Sequence, residues 1–209
     1  KINQEYKEWV NVLLKAEKGF ESEILALEER TKNKDTLEDL VVFYGSSTIR
    51  LWNSLEKDFP HINSLNLGFG GAFISSLSEN FERLFTFKAP KVIVLYLGGN
   101  DLSLGWTAKK IVEKISTLIE KIHQKYPSTT LVNLSIKPSL ERAEQMDKII
   151  QINTAMQASS KINPFLKQVD FFDALMDGET VNRHFLLQDG LHLNADGYKI
   201  LINHLKPYL

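Results

Sequence analysis

The sequence predicts an α/β protein with a mainly parallel sheet between two layers of helices, and three observations support this prediction. Short apolar runs of strand length recur along the chain, helical stripes separate them, and each run ends near glycine or a polar residue. Such runs are typical of strands buried on both faces, and their alternation with helices indicates a three-layer sandwich. With 43% hydrophobic and 24% charged residues, the chain fits one domain over residues 1–209.

Charge and composition argue against several classes of protein. The chain has 25 basic and 26 acidic side chains, so nothing favours binding to nucleic acid or to an anionic membrane. It has no cysteine, which excludes disulfides and thiolate chemistry. No apolar run is long enough to span a bilayer, so we expect a soluble protein. The chain begins with Lys1, which is compatible with a processed or trimmed leader and leaves the localisation open.

A helical segment is predicted at about residues 1–30. Apolar side chains recur there at helical spacing, first at Tyr6, Trp9, Val10, Leu13 and Leu14 and then, beyond Gly19, at Phe20, Ile24 and Leu27. We expect these two stripes to pack on the sheet.

Five strands are predicted, at residues 40–44, 64–67, 91–97, 130–136 and 169–172. Helical stripes lie between the later ones, one from Ile111 to Ile122 and one from Met146 to Met156. A final helix follows Asn194, a residue type that caps helix N-termini. Strands that alternate with helices favour a parallel sheet covered on both faces.

Serine, asparagine and aspartate follow two of these predicted strands. Ser46 and Ser47 come directly after the first, and Asn100 and Asp101 follow Gly98-Gly99 at the end of the third. Ligands of open parallel sheets bind outside the carboxyl ends of the strands, so these side chains are candidate functional groups. Capped turns at the starts of helices explain the same residues when each pair is considered alone.

A glycine-rich loop follows the second predicted strand, at Gly68 to Gly71. Glycines let backbone N–H groups approach a ligand closely, although such a loop is more often only a turn. A dinucleotide fingerprint would need a third glycine where Phe73 stands, and no phosphate-binding lysine follows. We therefore predict no nucleotide cofactor.

Asp189 and His192 lie near the end of the chain at a spacing that lets a carboxylate hold one imidazole nitrogen while the other faces outward. A capped turn explains this pair equally well by itself. The other histidines show no recognisable metal-ligand spacing, so no metal site is predicted: His61, His123, His184 and His204.

The blocks together resemble the SGNH (GDSL-type) hydrolase family. The resemblance extends from Val41 to about Tyr198 and rests on four ordered blocks, at residues 45–47, 66–71, 98–101 and 189–192. It implies the flavodoxin-like SGNH fold. Ser46 stands where the family usually has aspartate, directly before the nucleophile.

The resemblance also assigns roles within the four blocks. It places Ser47 at the nucleophile, His192 at the general base and Asp189 at the acid that orients the base. It places Gly71 and Asn100 at the oxyanion hole, which the backbone N–H of Ser47 completes. These residues imply hydrolysis of a carboxylic ester through an acyl-enzyme, without a metal or other cofactor.

A small-acyl ester is the substrate that we expect as the small-molecule partner. A lysophospholipase or a thioesterase is the alternative within the enzymes, and a catalytically silent binding module with the same fold is the alternative outside them. The sequence leaves the oligomeric state open.

Overall fold

The computed structural model describes residues 20–32 and 38–209. The predicted stripe from Tyr6 to Leu14 lies outside these residues. Residues 20–31 are helical (helix α1), and the second predicted stripe of this segment is buried in them: Phe20, Ile24 and Leu27.

Five parallel strands form the main sheet, which confirms the predicted fold class. They are β1 (Leu40–Gly45), β2 (Asn63–Gly68), β3 (Val92–Tyr96), β4 (Thr130–Leu134) and β5 (Leu166–Val169). Their spatial order is β2-β1-β3-β4-β5, and every pairing is parallel. The strands that follow β1 in the chain lie on both sides of it, β2 on one side and β3 to β5 on the other. Open α/β sheets bind ligands at the point where the strand order reverses in this way.

Helices cover both faces of the sheet because side chains of the buried strands alternate in direction. In β1, Val42 and Tyr44 belong to one hydrophobic core and Val41 and Phe43 to the other. The first core also contains buried side chains of α1 and of α4 (Ile74–Leu84), α5 (Ala108–Lys125) and α6 (Met146–Ile162). The second core contains side chains of α2 (Ser47–Arg50), α3 (Leu55–Asp58) and α7 (Ala195–Leu205).

The last strand of the main sheet, β5, begins three residues earlier than predicted. Residues 169–172 were expected from their apolar character, but the strand is Leu166–Val169. Its partner β4 ends at Leu134, so the strand pairing does not extend to Phe171. The backbone N–H of Phe171 instead donates to the side chain of Ser135 at 3.2 Å. Phe171 is buried in a loop, so its hydrophobicity reflects core packing and not pairing.

Short elements that the sequence did not predict complete the fold. They include a hairpin of β6 (Met176–Asp177) and β7 (Thr180–Val181), together with 3₁₀ turns at Asp101–Leu104, Leu140–Gln145, Asp173–Leu175, Arg183–Phe185 and Lys206–Tyr208. Helix α4, which follows the glycine-rich loop, was not predicted either, although it buries five side chains.

Candidate active site

The first functional segment is the turn between β1 and α2. A Cβ atom on Gly45 would lie 2.3 Å from the carbonyl oxygen of Tyr96, so only glycine fits between the two strands. The next residue, Ser46, donates its backbone N–H to the same oxygen at 3.1 Å. The chain then turns into α2, with Ser47 as its first residue. Close packing of β1 on β3 therefore sets where Ser47 leaves the sheet.

Two side chains from other elements hold the start of α2. Tyr198 of α7 donates its hydroxyl to the carbonyl of Thr48 at 2.8 Å. Asn66 of β2 donates its amide to the carbonyl of Ile49 at 2.7 Å. A helix of one turn has few internal hydrogen bonds, so these contacts stabilise the position of Ser47.

The structure brings Ser47, His192 and Asp189 into one chain of hydrogen bonds. The Nε2 atom of His192 lies 3.0 Å from Oγ of Ser47, and its Nδ1 atom lies 2.6 Å from Oδ2 of Asp189. The imidazole is oriented by the carboxylate on one side and faces the hydroxyl on the other. This is the arrangement that activates a serine for nucleophilic attack.

Asp189 is fixed by backbone groups as well. Its Oδ1 atom accepts from the N–H groups of Leu191 and His192 at 2.9 and 3.0 Å. The hydrogen bond from the His192 ring and these two N–H groups hold the pKa of Asp189 well below its usual range. The predicted helix cap follows directly, since Asn194 accepts from the N–H groups of Asp196 and Gly197 at 3.0 Å.

Asn100 lies at the same pocket. Its Nδ2 donates to the carbonyl of Ala72 at 2.9 Å, which leaves the second N–H of the amide for another acceptor. This contact ties Asn100 to the glycine-rich loop. Gly71 is exposed beside Ala72, with a φ of +69° that favours glycine, but it does not line the pocket around Ser47.

Two of the predicted oxyanion donors are backbone groups, those of Ser47 and Gly71. The N–H of Ser47 begins a helix, and such groups have no partner within the helix. Among the described residues, neither of these N–H groups donates to a backbone carbonyl outside helices and strands.

Asp101 binds the start of α4 and, within the described part of the chain, has no hydrogen bond with any residue of the triad. Its side chain is fully buried, and both carboxylate oxygens accept from the N–H of Ile74 at the start of α4, at 3.2 and 3.3 Å. Burial raises the pKa of Asp101 to about 6, against the opposing effect of the Ile74 hydrogen bond. The side chain is thus part of the contact between the Asn100 loop and α4.

Two cationic residues at the pocket were not singled out from the sequence. Lys137 follows β4, is 2% exposed and donates its ammonium to the carbonyl of Leu191. Burial and the nearby charge of Arg142 lower the pKa of Lys137 to about 7. Arg142 donates from Nη2 to Oδ1 of Asn100 at 3.0 Å. The position of Lys137 after a buried strand was a usable signal, because the same rule had identified Ser47 and Asn100.

The space beside Ser47 is small. The pocket lined by Ser47, Asn100, Arg142 and His192 holds about 10 Å³ of free space, roughly the room that one water molecule needs. A larger groove of about 540 Å³ adjoins it and shares Arg142 and Leu191 as lining residues. The narrow cleft beside Ser47 therefore adjoins a wider surface groove.

The described residues contain no group of three or more histidine, cysteine or carboxylate side chains placed to hold a metal ion. Across the same part of the chain, none of the helices is both long and apolar enough to cross a membrane.

The fold is that of the SGNH-type acylhydrolases. Residues 42–200 match the GDSL-like Lipase/Acylhydrolase family, and the chain belongs to that family. The resemblance stated from the four sequence blocks is therefore confirmed.

Individual relatives are distant. The platelet-activating factor acetylhydrolase IB subunit alpha1 of Pongo abelii is 24% identical over 163 residues, which are 76% of this chain and 70% of that protein. An N-acylneuraminate cytidylyltransferase of Escherichia coli O18:K1:H7 is 21% identical over 182 residues. The match covers 86% of this chain but only 42% of that relative, so the chain spans less than half of its length.

A solved structure from Streptococcus pneumoniae, described provisionally as a platelet activating factor, has a TM-score of 0.81 and 24% identity. The alignment covers 97% of this chain and 98% of the other. At this identity the likeness shows the shared fold alone.

Proposed function

We propose that this protein hydrolyses a carboxylic ester, with Ser47 as the nucleophile. The observation that carries the proposal is the hydrogen-bonded chain from Ser47 through His192 to Asp189, at the carboxyl edge of the sheet. A serine hydroxyl is a weak nucleophile until a neighbouring base takes its proton, and His192 is placed to do this.

The reaction then proceeds in two halves. As Oγ of Ser47 attacks the ester carbonyl, Nε2 of His192 takes the hydroxyl proton, and Asp189 stabilises the imidazolium through Nδ1. Collapse of the tetrahedral intermediate breaks the bond to the alcohol, which leaves with the proton from His192. A water molecule attacks the acyl-enzyme by the same path and releases the acid.

The oxyanion of each tetrahedral intermediate needs hydrogen-bond donors. The second N–H of the Asn100 amide and the backbone N–H groups of Ser47 and Gly71 are the donors that we propose. Loss of one such donor typically costs about 3 to 4 kcal/mol of transition-state stabilisation. Gly71 does not line the pocket around Ser47, so its place in this set rests on the resemblance to the family.

The narrow cleft favours a short acyl group over a long one. About 10 Å³ of free space lies beside Ser47, and we assign the adjoining groove of 540 Å³ to the alcohol portion. The relative from Pongo abelii is named an acetylhydrolase, which is in keeping with this choice.

Hydrolysis of p-nitrophenyl esters of graded acyl length, from acetate to palmitate, tests the proposal. We expect kcat/KM to be highest for acetate and to fall with each added pair of carbons. A maximum at long acyl groups would favour the lysophospholipase or thioesterase alternative, and parallel assays with lysophospholipids and acyl thioesters separate these two. Titration with a serine-directed phosphonate distinguishes a binding module, because such a module would leave Ser47 unlabelled.

A further inference from the structure

We propose that Arg142 is a positioning residue of the oxyanion hole that acts on the substrate through the Asn100 amide. The inference rests on the function proposed above. Arg142 donates to Oδ1 of Asn100 at 3.0 Å, while Nδ2 of Asn100 donates to the carbonyl of Ala72 at 2.9 Å. If the Asn100 amide were rotated by 180°, its NH₂ group would face the guanidinium of Arg142 and its oxygen would face the carbonyl of Ala72. Both hydrogen bonds would then be lost. The two contacts therefore leave the amide one orientation, with its second N–H free for the oxyanion.

The backbone that carries Arg142 is fastened to the triad loop. The N–H of Leu140 donates to the carbonyl of Gly190 at 2.9 Å, and Lys137 binds the carbonyl of Leu191. The N–H of Arg142 itself donates to the carbonyl of Ser139 at 3.2 Å. The segment 137–142 thus joins the loop that holds Asp189 and His192 to the loop that holds Asn100.

The charge of Arg142 also favours this role. Among the described residues, no carboxylate lies within ion-pair distance of its guanidinium, although Glu141 and Glu144 line the adjoining groove. The hydrogen bond to Asn100 is therefore the closest polar contact of this charge within that part of the chain. A charge-assisted hydrogen bond to Oδ1 polarises the amide and makes its N–H a stronger donor. This gain is largest when negative charge develops on the substrate, so it acts on kcat more than on KM.

Direct binding of an anionic substrate group is the competing role for Arg142, because this side chain also lines the 540 Å³ groove. The two roles differ in their kinetic signature. A positioning residue affects neutral and anionic esters alike, whereas a direct anion contact affects only the anionic ester and acts mainly on KM.

The test compares Arg142→Gln, Arg142→Lys, Asn100→Ala and the double variant Arg142→Gln/Asn100→Ala with the wild type. The substrates are p-nitrophenyl acetate and the mono-p-nitrophenyl ester of succinate. We expect Arg142→Gln to lower kcat roughly tenfold on both esters with little change in KM, and Arg142→Lys to restore part of the loss. In the Asn100→Ala background, Arg142→Gln should cause no further loss, because Arg142 acts through that amide.

The matched control is Arg30→Gln, which removes an exposed arginine of α1 that does not line the pocket around Ser47. It should behave as the wild type. An equal loss from Arg142→Gln with and without the Asn100 side chain would overturn the inference. An increase in KM confined to the succinate ester would also overturn it, in favour of direct anion binding.

A measurement without substrate keeps this inference separate from the proposed function. The side-chain NH₂ signal of Asn100 in an NMR spectrum, identified by its absence in Asn100→Ala, should shift in Arg142→Gln and not in Arg30→Gln. A wild-type protein that hydrolyses no ester would refute the proposed function alone. An unchanged Asn100 signal in Arg142→Gln would refute the positioning role, whatever the activity.

Discussion

Two adjacent serines illustrate how strongly local geometry separates similar residues. Ser46 is 5% exposed, and its backbone N–H binds the carbonyl of Tyr96. Ser47 is half-buried, begins α2 and places its hydroxyl 3.0 Å from His192. One step along the chain thus changes a packed hydroxyl into a candidate nucleophile.

We expect Ser47→Ala to abolish ester hydrolysis and Ser46→Ala to retain much of it. Removal of the Ser47 hydroxyl takes away the group that attacks the ester, whereas Ser46 has no hydrogen bond among the described residues with His192, whose Nε2 lies against Ser47. Both variants should unfold within a few degrees of the wild type, since neither opens a large cavity. Initial rates on p-nitrophenyl acetate and thermal unfolding curves check this, and a reversed order of activities would place the nucleophile at Ser46.

Two aspartates near the site should also differ in effect. Asp189→Asn should lower kcat severely, on the order of a thousandfold to ten-thousandfold, because an amide can hold the wrong imidazole tautomer. Asp101→Asn should cost much less activity, because Asp101 binds the N–H of Ile74 and not the imidazole. Kinetics of both variants on one ester are the measurement. A loss confined to Asp101→Asn would contradict the assignment of Asp189.

At the scale of secondary structure, the residues that follow three of the parallel strands lie at one edge of the sheet. Ser47 comes after β1, Asn100 after β3 and Lys137 after β4. The helices then fix these loops from the sides, as when Asp101 accepts from the first N–H of α4. An N–H at a helix N-terminus favours a negative charge, but the burial of Asp101 opposes it.

The free energy of unfolding should therefore depend on the protonation of Asp101. The pKa of Asp101 is raised to about 6 in the folded protein from its ordinary value of 3.8, so the folded state binds the proton more tightly. The stabilisation that results from this bound proton is fully present below about pH 4 and is lost as the pH rises through about 6. Relative to Asp101→Asn, the wild type should gain roughly 2 to 3 kcal/mol of unfolding free energy between pH 7 and pH 4.

Urea denaturation of wild type and Asp101→Asn at both pH values measures this difference. The exposed Asp147→Asn serves as control and should show no comparable change. Comparison with a variant cancels the loss of other carboxylate contacts in acid, including that of Asp189. A constant difference between wild type and Asp101→Asn at both pH values would contradict the prediction.

At the scale of the whole molecule, the site exists only because distant segments meet. Ser47 and His192 are 145 residues apart in sequence and are joined by one hydrogen bond. The two hydrophobic cores hold their elements on the same sheet, since α2 and α7 both pack in the core that contains Val41 and Phe43. Activity therefore requires the complete fold.

We expect kcat/KM to rise with pH and to level off once the imidazole of His192 is neutral, because only the neutral ring accepts the Ser47 proton. Asp189 should add no second step above pH 4, since its pKa is held well below its usual range. Initial rates from pH 4.5 to 9, corrected for spontaneous hydrolysis, give the profile. A flat profile would contradict the role of His192.

Lys137 needs a separate control, because burial lowers its pKa to about 7. Lys137→Met removes this titration while its side chain still fills the space. The rise of kcat/KM with pH should persist in this variant, even if the rate itself falls. Disappearance of the rise would assign it to Lys137.

The sequence by itself determined the parallel α/β class and the candidate triad. Unbroken apolar strands can be buried only between two layers, and parallel strands bring the residues that follow them to one edge. Ser47 and Asn100 were identified by their position after a strand, and Asp189 and His192 by their spacing. The resemblance to the family then assigned their roles.

Only the tertiary structure decided which groups touch. It placed His192 against Ser47 and not Ser46, ended β5 at Val169 before Phe171, and brought Arg142 to Asn100. Arg142 lies in a 3₁₀ turn far from any strand pattern, and its partner is 42 residues away. Hydrophobic periodicity records which face of an element is buried, but contacts between polar side chains depend on how whole elements pack, and no local pattern encodes that packing.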